Sequence, residues 1–512
     1  MRLGTTLLTI LLLGLLVASG CAVNPVTGER ELSLISTQEE IAMGREHYLP
    51  LQQADGGLYK INSALTDYVA RVGQRVAAVS DRSLPYEFVV LNNSSPNAWA
   101  LPGGKIAITR GLLVELDNEA ELAAVLGHEV VHAAAKHGAH AVQRGMLAQL
   151  VMVGAAIALK GEDYANSILE AGKMGLQLAH QAYGRDAERD ADYYGMKYMH
   201  AAGYDTGAAV TLQEKFVVLA ENHETNWLEG LFASHPPSTE RVKNNRAAMA
   251  AFPAGGILGR SSYETHVAGL RTLKSAYKEA NRARRLLGDR PETALQAIES
   301  AISQEPREPL FYGIKGQILA HQGRYEEAVR AYDEAIDRDG LYYEYYLGRG
   351  LVYDDLGQRV QAQRDLEFSY GLLPTAASSY SLGGFALEDG KRAEAKRLFW
   401  AASATSGEIG NMAREAYIKL DIADDPGRYV ATEIYFEKNH VVITVENSTG
   451  QELRDVMVRI DATINKKPVE PRLRQIERLA AKELKVVQPG IRYREEDEVE
   501  VETNVLQARP AS

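Results

Sequence analysis

Apolar residues recur at steps of three and four through Leu65–Val79 and again through Asn118–His140, the spacing of helices with a core-facing side. Between them, Tyr86-Glu87-Phe88-Val89-Val90-Leu91 and Lys105-Ile106-Ala107-Ile108-Thr109 read as short strands bounded by Asn, Ser, Pro and Gly. From about Ser36 to Ala251 the pattern is otherwise helical, so an α+β domain with one small sheet is expected. Leu150–Leu159 is an unbroken apolar run, too short to span a bilayer, and a buried helix is expected there in preference to a partner-facing one.

From about Pro291 to Ser403 the pattern repeats. Tyr312, Tyr346 and Tyr380 fall 34 residues apart, as do Gly316, Gly350 and Gly384, and Pro306, Gly340 and Pro374. Ala294, Ala328 and Ala362 keep the same step, with Ala395 one residue short. That period, with small residues and a terminal Pro, is the tetratricopeptide signature of paired helices stacked into a superhelical α-solenoid with a concave binding surface. After Asp424-Asp425-Pro426-Gly427 the period changes again. Ile434–Phe436, Val441–Val445, Val456–Ile460, Leu484–Val487 and Val499–Val501 alternate with turn residues, which predicts a C-terminal β-sandwich.

At 512 residues the chain is too long for one ordinary core. The expected domains are a signal peptide at 1–20, a tether at 21–35, the α+β domain at 36–270, a repeat array at 275–420 and the sandwich at 426–512. The formal charge, 56 − 68 = −12, argues against a nucleic-acid partner. Cys21, the single cysteine, excludes an internal disulfide. It follows Met1-Arg2, the apolar run Leu7–Ala18 and the small residues Ala18-Ser19-Gly20, an arrangement that resembles a bacterial lipobox. Acylation of Cys21 would anchor the chain to a membrane surface. By resemblance to lipoproteins, Ala22 in place of Asp favours the periplasmic face of the outer membrane of a Gram-negative bacterium.

The candidate chemistry lies at His128-Glu129-Val130-Val131-His132. The i,i+4 spacing puts both imidazoles on one helix face, where they can hold one Zn²⁺ per chain, with Glu129 beside them to take a proton from the attacking water. The setting is apolar, Ala123–Gly127 before and Ala133–Ala135 after, and two unpaired histidines buried there would be costly without a ligand. A catalytic zinc needs a third ligand, and Glu188 and Asp192 share a face of a second helix. One can ligate while the other accepts a hydrogen bond from a ligand histidine. Asp186, Arg189 and Asp190 fall on other faces. His137, five residues beyond His132, falls off the ligand face, and it and His140 are left out of the ligand set.

HExxH followed by Glu188-x-x-x-Asp192 resembles the gluzincin family that includes HtpX and the CAAX prenyl proteases. The resemblance implies that Glu188 is the zinc ligand and that Asp192 supports a ligand histidine. Asn97-Ala98-Trp99-Ala100-Leu101-Pro102-Gly103-Gly104 is similar to the stretch that precedes the family's active-site edge strand, which implies that Asn97, Ala98, Trp99 and Ala100 bind an extended peptide by strand addition. His235-Pro236 with Arg241 matches the family's HPxxxxR pattern. It implies a site role for His235, as a fourth, self-inhibiting zinc ligand or a donor to the developing oxyanion, and a structural ion pair for Arg241.

Lipobox, gluzincin core and repeats together resemble the BepA-like periplasmic metalloproteases, with a sandwich tail added. The expected function is a zinc endopeptidase that degrades misfolded or misassembled envelope proteins in outer-membrane quality control. The array would hold clients or the outer-membrane assembly machinery. The alternative is a chaperone or assembly scaffold with latent proteolysis.

Overall fold

The computed structural model describes residues 21–160, 183–221 and 230–511. The signal segment expected at 1–20 lies outside them, as do the side chains of Cys21 and Leu150–Leu159. The chain divides into two compact units, one ending at Gly357 and one beginning at Gln358.

In the first unit, β1 (Cys21–Val23) and β2 (Arg30–Leu32) pair antiparallel with Cys21 opposite Leu32. The stretch expected as a tether is thus a hairpin fastened to the body. Asn24 Oδ1 accepts from the Val26 amide at 2.9 Å, and its Nδ2 donates to the Ala135 carbonyl at 3.0 Å. The side-chain amide of Gln143 grips both Leu32 and Leu34. The Asn-Pro-x-Thr-Gly turn signal is the same for a free turn and for a hairpin, so the pattern alone did not separate them.

Helix α1 (Thr37–Ala54) starts on a Ser36/Glu39 capping box, and α2 (Ser63–Ala77) on an Asn62 cap. Strands β3 (Glu87–Leu91), β4 (Ala98–Leu101) and β5 (Lys105–Thr109) form one sheet in the order β3-β5-β4. β3 runs parallel to β5 and β4 antiparallel to it. After the short α3 (Arg110–Leu113), α4 (Glu119–Ala134) begins on an Asn118 cap and is buried on nearly every side, as an apolar-all-round helix must be. The helical pattern was read as continuous to His140. Instead α4 ends at Ala134 with Ala135 as its C-cap, Lys136 takes a left-handed φ of 61°, and a new helix, α5 (His137–Lys160), begins.

Helix α6 (Arg185–Ala201) crosses α4 closely enough that a Cβ on Gly195 would lie 3.2 Å from the His128 nitrogen. Helices α7 (Gly207–Glu221), α8 (Leu231–Ser234), α9 (Thr239–Met249) and α10 (Arg260–Thr272) complete the surroundings. One hydrophobic core runs from Val26 through Leu122, Val130 and Tyr198 to Phe311 and Ile318. It therefore continues into the first repeat helices.

Those repeats are α11 (Lys274–Leu286), α12 (Pro291–Gln304), α13 (Pro309–His321), α14 (Tyr325–Arg338) and α15 (Tyr343–Asp355). Ala294 and Ala328 are fully buried where paired helices approach. Tyr312 and Tyr346 donate their hydroxyls to the carbonyls of Pro306 and Gly340, so the same bond ties the same turn in successive repeats.

The second unit holds α16 (Arg359–Leu372), α17 (Ala376–Glu388), α18 (Arg392–Ser403) and α19 (Glu408–Asp421). α18 starts 33 residues after α16, which explains the early Ala395. Strands β6 (Val430–Glu437) and β7 (His440–Asn447) pair, followed by β8 (Leu453–Ile464), β9 (Lys467–Pro468), β10 (Arg472–Leu479), β11 (Leu484–Val487) and β12 (Val499–Pro510). They make two sheets, β11-β7-β6 and β10-β8-β12, over a shared core of Val441, Ile443, Val458 and Ile460. The expected α+β class, helical repeats and C-terminal strands all stand.

Candidate metal centre

Helices α4 and α6 and the residue after α8 bring four groups together. One ligand atom from each of His128, His132, Glu188 and His235 lies within 4.8 Å of all the others. His132 Nε2 is 3.0 Å from His128 Nε2, which is 3.2 Å from His235 Nδ1. His235 Nδ1 is 2.9 Å from Glu188 Oε1. Three ring nitrogens this close cannot all carry protons. Their lone pairs converge on one point, a donor set that fits a single divalent cation, and the cluster could hold a metal ion.

The ring atoms that face away are also held. His128 Nδ1 lies 3.1 Å from Asp192 Oδ1, and Arg241 clamps Asp192 through Nε at 2.8 Å and Nη2 at 2.7 Å. Arg241 Nη1 also reaches Glu188 at 3.0 Å. His132 Nδ1 meets His137 Nδ1 at 2.9 Å, and the Tyr183 ring stacks on His132 at 3.9 Å between centroids. From the sequence His137 is set aside as lying off the ligand face, and Tyr183 is not singled out. A straight helix would carry His137 off the ligand face, and it is the turn at Lys136 that folds it back onto the far side of His132. Nothing in the local sequence around Lys136-His137 signals that bend.

Burial opposes charge on His128, but Glu188 and Asp192 outweigh it and hold its proton up to about 10. Burial pushes His132 well below the usual histidine range. It would raise Glu188 too, but His235 and His128 hold that carboxyl well below its ordinary value. For Asp192, Arg241 overcomes burial and lowers the carboxyl. Glu129 is the exception: burial raises it, and His235 and His128 only partly compensate. Its Oε1 lies 3.5 Å from His235 Nε2, while its Oε2 is buried with no hydrogen-bond partner among the described residues.

Asn97 and Ala98–Ala100 lie at and in β4, an edge strand, with all four side chains buried. Trp99 Nε1 donates to Asp55, and the Asn97 amide to Thr109 Oγ1. The register, Trp99 opposite Ala107, turns the amides and carbonyls of Ala98 and Ala100 away from β5. Just before the strand, the Pro96 carbonyl accepts from Leu231 in α8. His140 sits apart beside Glu31, and Asp186 and Arg189 pair on the surface.

Residues 63–248 match peptidase family M48, and residues 277–343 match the tetratricopeptide repeat. The chain therefore carries a family M48 peptidase domain followed by tetratricopeptide repeats, and the resemblance read from its two motifs is borne out. Over 224 residues it is 34% identical to the mitochondrial metalloendopeptidase OMA1 of Schizosaccharomyces pombe, covering 43% of this chain and 64% of that protein. It is 28% identical over 262 residues to the beta-barrel assembly-enhancing protease of Escherichia coli, 49% of this chain and 51% of the relative. To the metalloprotease YcaL of Escherichia coli it is 29% identical over 192 residues, 36% and 72% of the two chains. The chain thus spans 64% and 51% of the lengths of the first two relatives.

Proposed function

We propose that this chain is a zinc-dependent endopeptidase of the bacterial cell envelope that acts on misfolded or misassembled proteins in outer-membrane quality control. The observation that carries the reading is the convergence of His128, His132 and Glu188 beside a buried Glu129 with one unpartnered oxygen. Zinc bound there would act as a Lewis acid on water and on the scissile carbonyl.

The chain's own residues do the rest. Glu129 accepts the proton of the attacking water and returns it to the leaving amine; burial, which raises its proton affinity, suits both halves of that task. Asp192, fixed by Arg241, keeps the proton of His128 on Nδ1 and leaves Nε2 for the metal. The outward amides and carbonyls of Ala98 and Ala100 offer a substrate backbone two rungs of a ladder. Acylation at Cys21 would hold the unit at the outer membrane's periplasmic face, and the repeats would hold clients. The envelope setting draws support from the relative named for enhancing β-barrel assembly. Among the described residues no helix is long and apolar enough to cross a membrane.

A second reading, a client-holding scaffold with latent proteolysis, draws on His235. Its Nδ1 lies within the cluster, where a fourth ligand would displace water. One experiment separates the two: casein cleavage by wild type, Glu129→Gln and His235→Ala, with bound zinc measured in each. The peptidase reading expects cleavage by wild type, none by Glu129→Gln, and about one zinc in both. Latency expects cleavage only after His235→Ala. Absence of zinc throughout would overturn both readings.

A further inference from the structure

We propose that the cavity beside the metal cluster is a subsite for one substrate side chain, and that the amide of Gln213 makes it select an uncharged side chain with an apolar stem and a hydrogen-bonding tip, Gln ahead of Met. The inference rests on the peptidase reading and names the selectivity of the same site.

The cavity, about 50 Å³, lies between α4, α6, α7 and α9, and its wall includes His128 and Glu129. A side chain entering it would belong to a residue next to the bond being cut. Most of the lining is apolar: Val125, Met196, Met199, Leu212 and Phe216. The volume suits the end of a medium side chain, since a single water needs about 10–15 Å³ by the same measure. Arg241 also borders the cavity, but Asp192 and Glu188 already neutralise it. The other charged groups on the wall, His128 and Glu129, are committed to the metal and to the attacking water, so a charged side chain would find no counter-charge of its own and is disfavoured.

Asn245 and Gln213 break the apolar pattern, and the unpaired group belongs to Gln213. Gln213 is 8% exposed, and its Oε1 is buried with no hydrogen-bond partner among the described residues. In a cavity that only packed helices together, an apolar residue would serve at that position without leaving a polar group unpaired. In a subsite the same atom has a use. A substrate Gln pairs with it, whereas Met, of similar length, leaves it unpaired. Discrimination of this kind is strong because the mismatched ligand strands a buried polar group of the site.

The test uses the full chain loaded with zinc and internally quenched peptides that differ only at the residue next to the cut, carrying Gln, Met, Ala, Lys or Glu. Wild type should favour Gln over Met by about tenfold in kcat/KM, with Lys and Glu slowest. Gln213→Leu should lower cleavage of the Gln peptide and raise that of the Met peptide, reversing the order. Ala209→Leu, which narrows the cavity, should favour the Ala peptide over both. Fluorescence polarisation with Glu129→Gln should show the same Gln-over-Met order in Kd, a readout independent of turnover. Equal rates for Gln and Met, or a ratio unmoved by Gln213→Leu, would overturn the subsite while leaving the peptidase reading intact. Failure of wild type to cut any peptide, with no difference from Glu129→Gln, would overturn that reading and the subsite with it.

Discussion

Two of the buried polar clusters in the first unit are built on opposite plans. At the junction with the repeats, Glu308 is fully buried and takes hydrogen bonds from Asn92 and Tyr277. Arg110 donates to Asn92 and Ser94 and lies 3.3 Å above the Tyr277 ring. These donors of Asn92, Tyr277 and Arg110 each meet an acceptor or a ring. In the cluster of His128, His132, Glu188 and His235, four ligand atoms face one interior point, and once His128 gives up its proton their lone pairs have nothing but a cation to meet. The contrast separates structural burial of charge from functional burial: a closed network needs nothing further, while converging lone pairs need a cation.

The comparison breaks most sharply at Glu129. Glu129→Gln should lower kcat by about a thousandfold with zinc content and melting temperature unchanged, as measured by peptide turnover and calorimetry. Glu308→Ala should do the reverse. It strands Arg110 in the interior and should cost about 3 kcal/mol of stability by denaturant titration, with zinc affinity unmoved. His137→Ala should weaken zinc binding by about 10–100-fold in a chelator competition, because His132 loses the partner that orients its ring. The junction variant would leave that competition unaffected.

A smaller effect concerns protons. In the metal-free site His128 keeps its proton up to about 10, while His132 is already neutral. Zinc must displace the His128 proton, so affinity should rise with pH by up to about tenfold per unit below 10. Calorimetry at pH 7.5 in buffers of different ionisation enthalpy should count about one proton released. A count near zero would contradict the charge balance described for Glu188 and His128. The smallest change is expected at the exposed surface pair Arg189–Glu240, where Arg189→Ala should leave the denaturation midpoint within error of wild type.

Features whose physics is local were legible from the chain alone. His128 and His132 needed only the helical repeat, and the 34-residue step of Tyr312 and Tyr346 is the repeat of one hydrogen bond to one turn. Most sandwich strands showed their alternation. β10 did not, because Arg472-Leu473-Arg474-Gln475-Ile476-Glu477-Arg478-Leu479 puts only two buried apolar residues, Ile476 and Leu479, among exposed charges. The hairpin at 21–32 was missed for a different reason. Its anchors, Ala135 and Gln143, lie more than 100 residues away.

By itself, then, the sequence determined the spacing of ligands along each helix, the repeat, and the class of chemistry, because these follow from periods of two, 3.6 and 34 residues. Only the tertiary structure decided how the two ligand helices cross, through the close approach at Gly195, and which residues stand behind the ligands. The left-handed turn at Lys136 returns His137 to His132, and the fold lays Tyr183 across the same ring. Nothing in the local pattern carries that information, since a bend of one residue and a contact across 51 positions of chain depend on what packs around them.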